Sequence, residues 1–263
     1  MAEDSNIFLP LYGCKENVMK HRKIVIIPTY NEKENIEKII RKVRSLEGDF
    51  HILVVDDGSP DGTGAIVKGL QTEFPGTLFI IERQGKLGLG TAYITGFRWC
   101  LDHGYDYIFE MDADFSHNPD DLIRLYRACT EGGADMSIGS RYVKGIAVRD
   151  WPLSRIMISY GASYYVRTVL GMKVYDSTAG FVCYSSKVLK AIDLDRIRMK
   201  GYGFQIEMKY NAWKLGYHII EVPIIFTDRK EGKSKMSSSI FGEAFRGVIA
   251  LKFRKITPNP ETK

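Results

Sequence analysis

Cysteine is scarce in this chain. Its four residues, Cys14, Cys100, Cys129 and Cys183, lie far apart, make no CxxC pair and have no histidines at zinc spacing. That argues against both a disulfide framework and a structural zinc site. Reduced, mostly buried thiols are expected, as in a protein facing the cytosol. No apolar run approaches the ~20 residues of a membrane-spanning helix. Any work at a membrane is therefore expected from its surface or through a membrane-bound partner. Residues 1–6 are polar and acidic, so no signal peptide is expected there. A dense basic patch is missing too: the net charge is only +5, with the basic residues spread along the chain. Nucleic acid is not an expected partner, whereas phosphate ligands or an anionic membrane surface suit this balance. The Walker and Rossmann glycine spacings are absent, as is Gly-x-Ser-x-Gly.

What the chain does have is a repeated alternation of buried strands and helices. Its 263 residues are ample for a core. Residues 1–20 carry no pattern and read as a variable extension, and no linker divides residues 21–263. Apolar runs at 23–30, 51–57, 78–81, 107–111 and 136–141 read as strands covered on both faces. Helical patterns separate them. Asn31 is expected to cap the first helix, whose apolar face runs through Ile36, Ile39, Ile40 and Val43. Asn118 and Pro119 are expected to open another. The result is an α/β fold with a mostly parallel, Rossmann-like sheet and helices on both faces. In the second half, 152–170 reads as a long helix broken at Gly161. Residues 182–184 read as a short strand, and 219–226 as an extended run that Pro223 keeps away from a sheet centre. Residues 240–254 form an amphipathic helix with Phe241, Ala244, Phe245, Val248 and Leu251 on one face. That face either docks on the protein's own core or lies at a membrane interface.

Polar groups collect where strands leave the sheet at their carboxyl ends, the edge at which open α/β sheets bind ligands. Asp112 and Asp114 are the most suggestive. Two nearby carboxylates repel unless a cation or proton compensates, and Mg²⁺ or Mn²⁺ with substrate phosphates would do so. A solvated turn is the plainer reading of the same residues. Tyr30 offers a face for a base and Glu32 an acceptor, although Glu32 also suits a helix N-terminus. Asp56 and Asp57 could bind base or ribose, or simply form a turn. Lys86 to Gly90 resembles a phosphate cradle. Arg141, Arg155, Arg229, Lys233 and Lys235 are candidate anion binders or ordinary surface charges. Arg229 and Lys235 stand in a glycine- and serine-rich stretch able to close over a diphosphate.

Taken in order, the motifs are more specific than any one alone. Pro28-Thr29-Tyr30-Asn31-Glu32, Val54-Val55-Asp56-Asp57-Gly58-Ser59, Lys86-Leu87-Gly88-Leu89-Gly90 and Met111-Asp112-Ala113-Asp114-Phe115-Ser116-His117 resemble family 2 glycosyltransferases of the GT-A fold. Gly139-Ser140-Arg141-Tyr142, Asp176-Ser177-Thr178-Ala179-Gly180-Phe181 and Gly201-Tyr202-Gly203-Phe204-Gln205-Ile206-Glu207 extend the match toward the dolichol-phosphate mannosyltransferases of that family.

This resemblance implies inverting transfer of mannose from GDP-mannose to dolichyl phosphate, with Mg²⁺ or Mn²⁺, at the cytosolic face of the endoplasmic reticulum membrane. It implies that Pro28, Tyr30, Glu32, Val55 and Asp57 hold guanosine. Asp112, Ala113 and Asp114 would meet ribose, metal and diphosphate, the metal resting on Asp112 and Asp114. Arg141, Arg229 and Lys235 would complete the donor site. Asp112, Asp114, Arg229 and Lys235 are the residues expected to carry the chemistry. Arg141 and Arg155 are the candidates for the acceptor phosphate. Small membrane-anchoring subunits are an implied partner. The rivals are a UDP-glucose-dependent polyprenyl-phosphate glucosyltransferase and a non-catalytic subunit with this fold.

Overall fold

A computed structural model of the chain describes residues 21–228 and 239–260. The expected N-terminal extension, and Arg229, Lys233 and Lys235, lie outside the described residues. The elements run β1 (Lys23–Thr29), α1 (Ile36–Arg44), β2 (His51–Asp56), α2 (Thr63–Leu70), β3 (Leu78–Glu82), α3 (Leu89–Asp102), β4 (Tyr107–Glu110), α4 (Asp121–Thr130) and β5 (Met136–Ser140). They continue with β6 (Val148–Arg149), α5 (Leu153–Leu170), β7 (Val182–Ser185), α6 (Ser186–Ala191), α7 (Tyr202–Lys214), β8 (Ile219–Pro223), β9 (Phe226–Thr227) and α8 (Ser239–Phe253).

Seven strands form one sheet in the order β3-β2-β1-β4-β7-β5-β8. β3, β2, β1 and β4 run parallel to one another. β7 enters antiparallel between β4 and β5, and β8 closes the edge parallel to β5. Because β7 is flanked by two antiparallel partners, β4 and β5 still point the same way. The carboxyl ends of β1, β2, β4 and β5 therefore share one edge. The chain moves outward from β1 to β2 and β3, then returns to place β4 on the other side of β1. That reversal is a topological switch point, where a crevice opens between two strand ends.

The strand residues Ile24 to Ile27, Ile52 to Val55, and Ile108 with Phe109 are fully buried, which explains their unbroken apolar runs. One core face gathers Tyr93 and Phe97 of α3, Val166 and Leu170 of α5, Phe204 and Met208 of α7, and Val248 and Leu251 of α8. The other holds Ile36, Ile39, Ile40 and Val43 of α1, Val67 of α2, and Leu122 and Leu125 of α4. Gly96 lets α3 approach β1: a Cβ there would stand 2.9 Å from Ile26.

Several local expectations change. Asn31 does not cap α1; its backbone is left-handed, φ 57°, and the helix begins at Ile36. α5 passes through Gly161 unbroken. In α8, Val248 and Leu251 reach the core, but Phe245 is 53 % exposed and stacks on Tyr165 at 4.5 Å. The expected edge position of β8 holds. Cys100, Cys129 and Cys183 are buried free thiols.

Candidate active site

The loops after β1 and β2 are laced together. Thr29 Oγ1 donates to Asp56 Oδ1 at 2.8 Å, and Ser59 closes a turn on the same carboxylate through its amide and hydroxyl. The Asn31 amide donates to Ser59 Oγ, and the Glu32 amide to Thr63 Oγ1. These bonds fix the strand ends that carry Pro28, Tyr30 and Glu32, all half-buried. Val55 is fully buried, so within β2 it is a packing residue beneath the edge.

Asp57 has a partner not foreseen from its motif. Arg83 Nε donates to Asp57 Oδ1 at 2.6 Å, and the Leu87 amide donates to Oδ2. Arg83 also donates to Thr91 Oγ1 and to the Gly88 carbonyl. One guanidinium thus pins the glycine-rich loop to the end of β2, where both side chains of the pair are 8 % exposed. The loop presents Lys86 over the Tyr30 ring, 5.2 Å from its centroid. A signal for Arg83 did exist in the sequence. Asp56 and Glu82 are register partners in β2 and β3, so the next residues, Asp57 and Arg83, are opposite charges at adjacent strand ends.

β4 delivers Asp112, Ala113 and Asp114 to the switch point. Both aspartates are half-buried, and Ala113 is buried between them. Ser116 turns back on Asp114, its hydroxyl donating to Oδ1 at 2.6 Å. Phe115 between them takes a left-handed backbone, φ 58°, an uncommon conformation for a bulky residue that costs on the order of 1–3 kcal/mol. His117 lies under this turn, buried, stacked on Phe181 at 4.9 Å and edge-on to Phe226 at 5.2 Å. Burial pushes its imidazole down to about 4, against the pull of Asp114. It is therefore neutral at physiological pH.

Arg141 follows the last residue of β5 and is buried. Its Nε and Nη2 hold Asp176 at 2.7 and 2.6 Å, and Nη2 also donates to Thr178. Trp151 and Phe226 flank the guanidinium at 5.6 Å. Burial disfavours the Asp176 carboxylate, but Arg141 overrides it and holds its pKa below the usual range. Arg155, at the start of α5, is half-exposed. Its Nη1 donates to both oxygens of Asp228 at 2.9 Å, and its guanidinium lies 4.0 Å over the Trp151 ring. The strip of β6 against β9 joins this group to the aspartate turn, since the Thr227 amide donates to the Ser116 carbonyl. Both candidate acceptor arginines are thus already engaged by carboxylates.

Behind β4, Glu110 is fully buried. Burial raises its carboxyl to about 8, while burial lowers the neighbouring Lys209 to about 8. Sequence reasoning missed this pair because a charged residue in an apolar run gives no sign of its partner.

The carboxylates fit a divalent ion. Among the described residues, no three or more His, Cys, Asp or Glu gather into a set able to hold a metal. Two aspartates are nevertheless what Mg²⁺ commonly takes from a protein when substrate phosphates and water complete its shell. Asp112 and Asp114 would therefore hold the ion together with a diphosphate rather than alone.

Residues 24–197, which span the sheet from β1 past β7, match Glycosyl transferase family 2. The chain belongs to that family. This glycosyltransferase is 49 % identical over 223 residues to a polyprenol monophosphomannose synthase of Mycolicibacterium smegmatis, covering 85 % of this chain and 84 % of that one. It is 48 % identical over 227 residues to an undecaprenyl-phosphate mannosyltransferase of Micrococcus luteus, covering 86 % and 92 %. Its fold is shared with glucosyl-3-phosphoglycerate synthase of Mycobacterium tuberculosis, solved with Mn²⁺, UDP-glucose and phosphoglyceric acid. There the TM-score is 0.60 at 22 % identity, over 88 % of this chain and 78 % of that one.

Proposed function

We propose that this glycosyltransferase moves mannose from GDP-mannose to a polyprenyl phosphate, with inversion at the anomeric carbon. Near-half identity to two mannosyltransferases named for polyprenol and undecaprenyl acceptors, over most of each chain, carries this reading. Its finer form takes dolichyl phosphate as acceptor at the cytosolic face of the endoplasmic reticulum, for glycoprotein and GPI-anchor synthesis.

On this reading Pro28, Tyr30 and Glu32 receive the guanosine. The loop pinned by Asp57 and Arg83 borders the base side. Asp112 and Asp114 would hold Mg²⁺ or Mn²⁺ against the diphosphate, with Arg229 and Lys235 completing the donor site. The ion would supply Lewis-acid stabilisation of the departing nucleoside diphosphate. The acceptor phosphate, with a second pKa of about 6, is already largely ionised near neutrality. It attacks without a general base, which suits a neutral, buried His117 near the turn. Arg155 meets the acceptor phosphate by exchanging Asp228 for it. Arg141, committed to Asp176, shapes the wall behind.

The acceptor is a membrane lipid, and the surface supports contact with a bilayer. No helix among the described residues is long and apolar enough to cross a membrane. α5 instead exposes Leu153, Met157, Ile158 and Tyr164, and α8 exposes Phe245, Ile249 and Phe253. Arg246 and Lys252 stand on the same helix as the latter group. Apolar residues among cations suit an interfacial position on anionic lipid, with or without small anchoring subunits.

The test offers GDP-mannose or UDP-glucose with dolichyl phosphate, undecaprenyl phosphate or no lipid, and follows the lipid-linked sugar. Product from GDP-mannose with either lipid supports the reading, and the better lipid identifies the acceptor. Product from UDP-glucose alone would replace it with the glucosyl rival.

A further inference from the structure

Some of the most deeply buried polar side chains of this protein lie behind the candidate site. Glu110 at the end of β4 and Lys209 in α7 are both 0 % exposed, and Gln205 between them is 2 % exposed. Gln205 Nε2 donates to Glu110 Oε2 at 2.8 Å. Lys209 Nζ donates to Gln205 Oε1 at 3.0 Å and to the Ala179 carbonyl at 2.6 Å. A lysine ammonium has only donors, so the amide oxygen must face it and the amide nitrogen must face the carboxylate. The order Glu110, Gln205, Lys209, Ala179 is therefore directional and admits one arrangement.

Each end of this chain leads to one side of the site. Glu110 is two residues before Asp112, on a strand held by Ile26 on one side and Val182 on the other. Ala179 follows Thr178, whose hydroxyl accepts from Arg141, and it shares a loop with Asp176. Stability does not explain the trio, because buried ionic groups are often matched or bettered by apolar residues of similar volume. Its hydrogen bonds instead fix a separation that apolar packing would leave adjustable.

We propose that Glu110, Gln205 and Lys209 are positioning residues, a buried strut that holds the Asp112–Asp114 turn and the Asp176–Arg141 loop at the spacing transfer requires. The strut rests on the reading of these groups as the donor and acceptor sides.

The test uses the full chain with Lys209→Met, which keeps the stem and removes the donors. Three quantities are measured: the thermal midpoint, the GDP affinity with Mn²⁺, and kcat and KM for GDP-mannose and polyprenyl phosphate. GDP affinity should stay within about threefold while kcat/KM for the lipid falls about a hundredfold, the order of loss that about 1 Å of misplacement brings. Gln205→Met, which cuts the link and leaves both charges, should show the same split. So should Glu110→Gln with Lys209→Met, which removes both charges, if the single lysine variant does not fold. GDP affinity and turnover falling by one common factor with the thermal midpoint would overturn the strut, as would unchanged constants. A wild-type protein that transfers nothing to lipid would instead overturn the functional reading beneath it.

Discussion

Arg141 grips Asp176 through two nitrogens, at 2.7 and 2.6 Å, with both side chains buried. Such a bidentate pair is among the stronger hydrogen-bonded arrangements, and its removal from one side leaves a charge without compensation. Asp176→Asn should cost about 3–5 kcal/mol of stability, read from the urea midpoint. The folded pKa of Asp176 lies below its unfolded value. Its contribution is therefore complete above the unfolded pKa of about 3.9 and is lost only as pH falls through the folded value. The cost of Asp176→Asn should be the same at pH 7 and pH 5. A cost that halves over that range would contradict the pairing.

His117 gives stability the same sign of pH dependence in a higher window. Its folded pKa is lowered from 6.5 to about 4 by burial, so the unfolded chain takes up a proton there while the folded chain does not. Stability should fall as pH drops from about 6.5 toward 4, by up to about 3 kcal/mol from this residue. His117→Gln should remove this contribution, so that the stability difference between wild type and variant in thermal unfolding shrinks as pH falls from about 6.5 toward 4. Glu110, whose raised pKa acts in the opposite direction, and His51, whose pKa burial lowers, contribute equally to both. A difference that stays constant over that range would mean the imidazole is not buried neutral.

Arg83 should matter to nucleotide binding without touching the core. Arg83→Ala frees Asp57, the Gly88 carbonyl and Thr91 together. GDP affinity should weaken about tenfold, the worth of one well-placed charge-assisted contact, and the unfolding midpoint should also fall, because Asp57 is left nearly buried without its counter-charge. Titration calorimetry distinguishes this from a variant that binds GDP normally, which would remove the glycine-rich loop from the donor site.

Metal binding should depend on nucleotide. Two carboxylates without a third acidic or imidazole partner among the described residues make a weak site for an ion alone. Mn²⁺ should bind poorly to the free protein and tightly in the presence of GDP, as followed by electron paramagnetic resonance. Equal affinity with and without GDP would contradict the shared site.

The parallel half of the fold was legible because burial on both faces writes itself as unbroken apolar runs. β8 was legible as an edge because Pro223 cannot serve a central ladder. The insertion of β7 between β4 and β5 was not, since a four-residue strand carries no mark of its neighbours. Gly161 misled for a physical reason: one glycine lowers helix propensity by only about 1 kcal/mol, which the tertiary packing of α5 overcomes. At the site, motif residues were found by type and position, but their partners were not. Asp57 pairs with Arg83, Arg141 with Asp176, and Arg155 with Asp228. Each partner is distant in sequence or in another element, and only folding brings it near.

The most direct measurement is mannose transfer from labelled GDP-mannose to polyprenyl phosphate in detergent, with Mn²⁺ or with EDTA, for the wild-type chain and Asp114→Asn. Lipid-linked mannose is expected from the wild type with metal, and a loss of at least about a hundredfold with EDTA or in the variant, as follows when stabilisation of a developing charge is removed. Full transfer by Asp114→Asn in EDTA would contradict the assignment of the donor site to the end of β4.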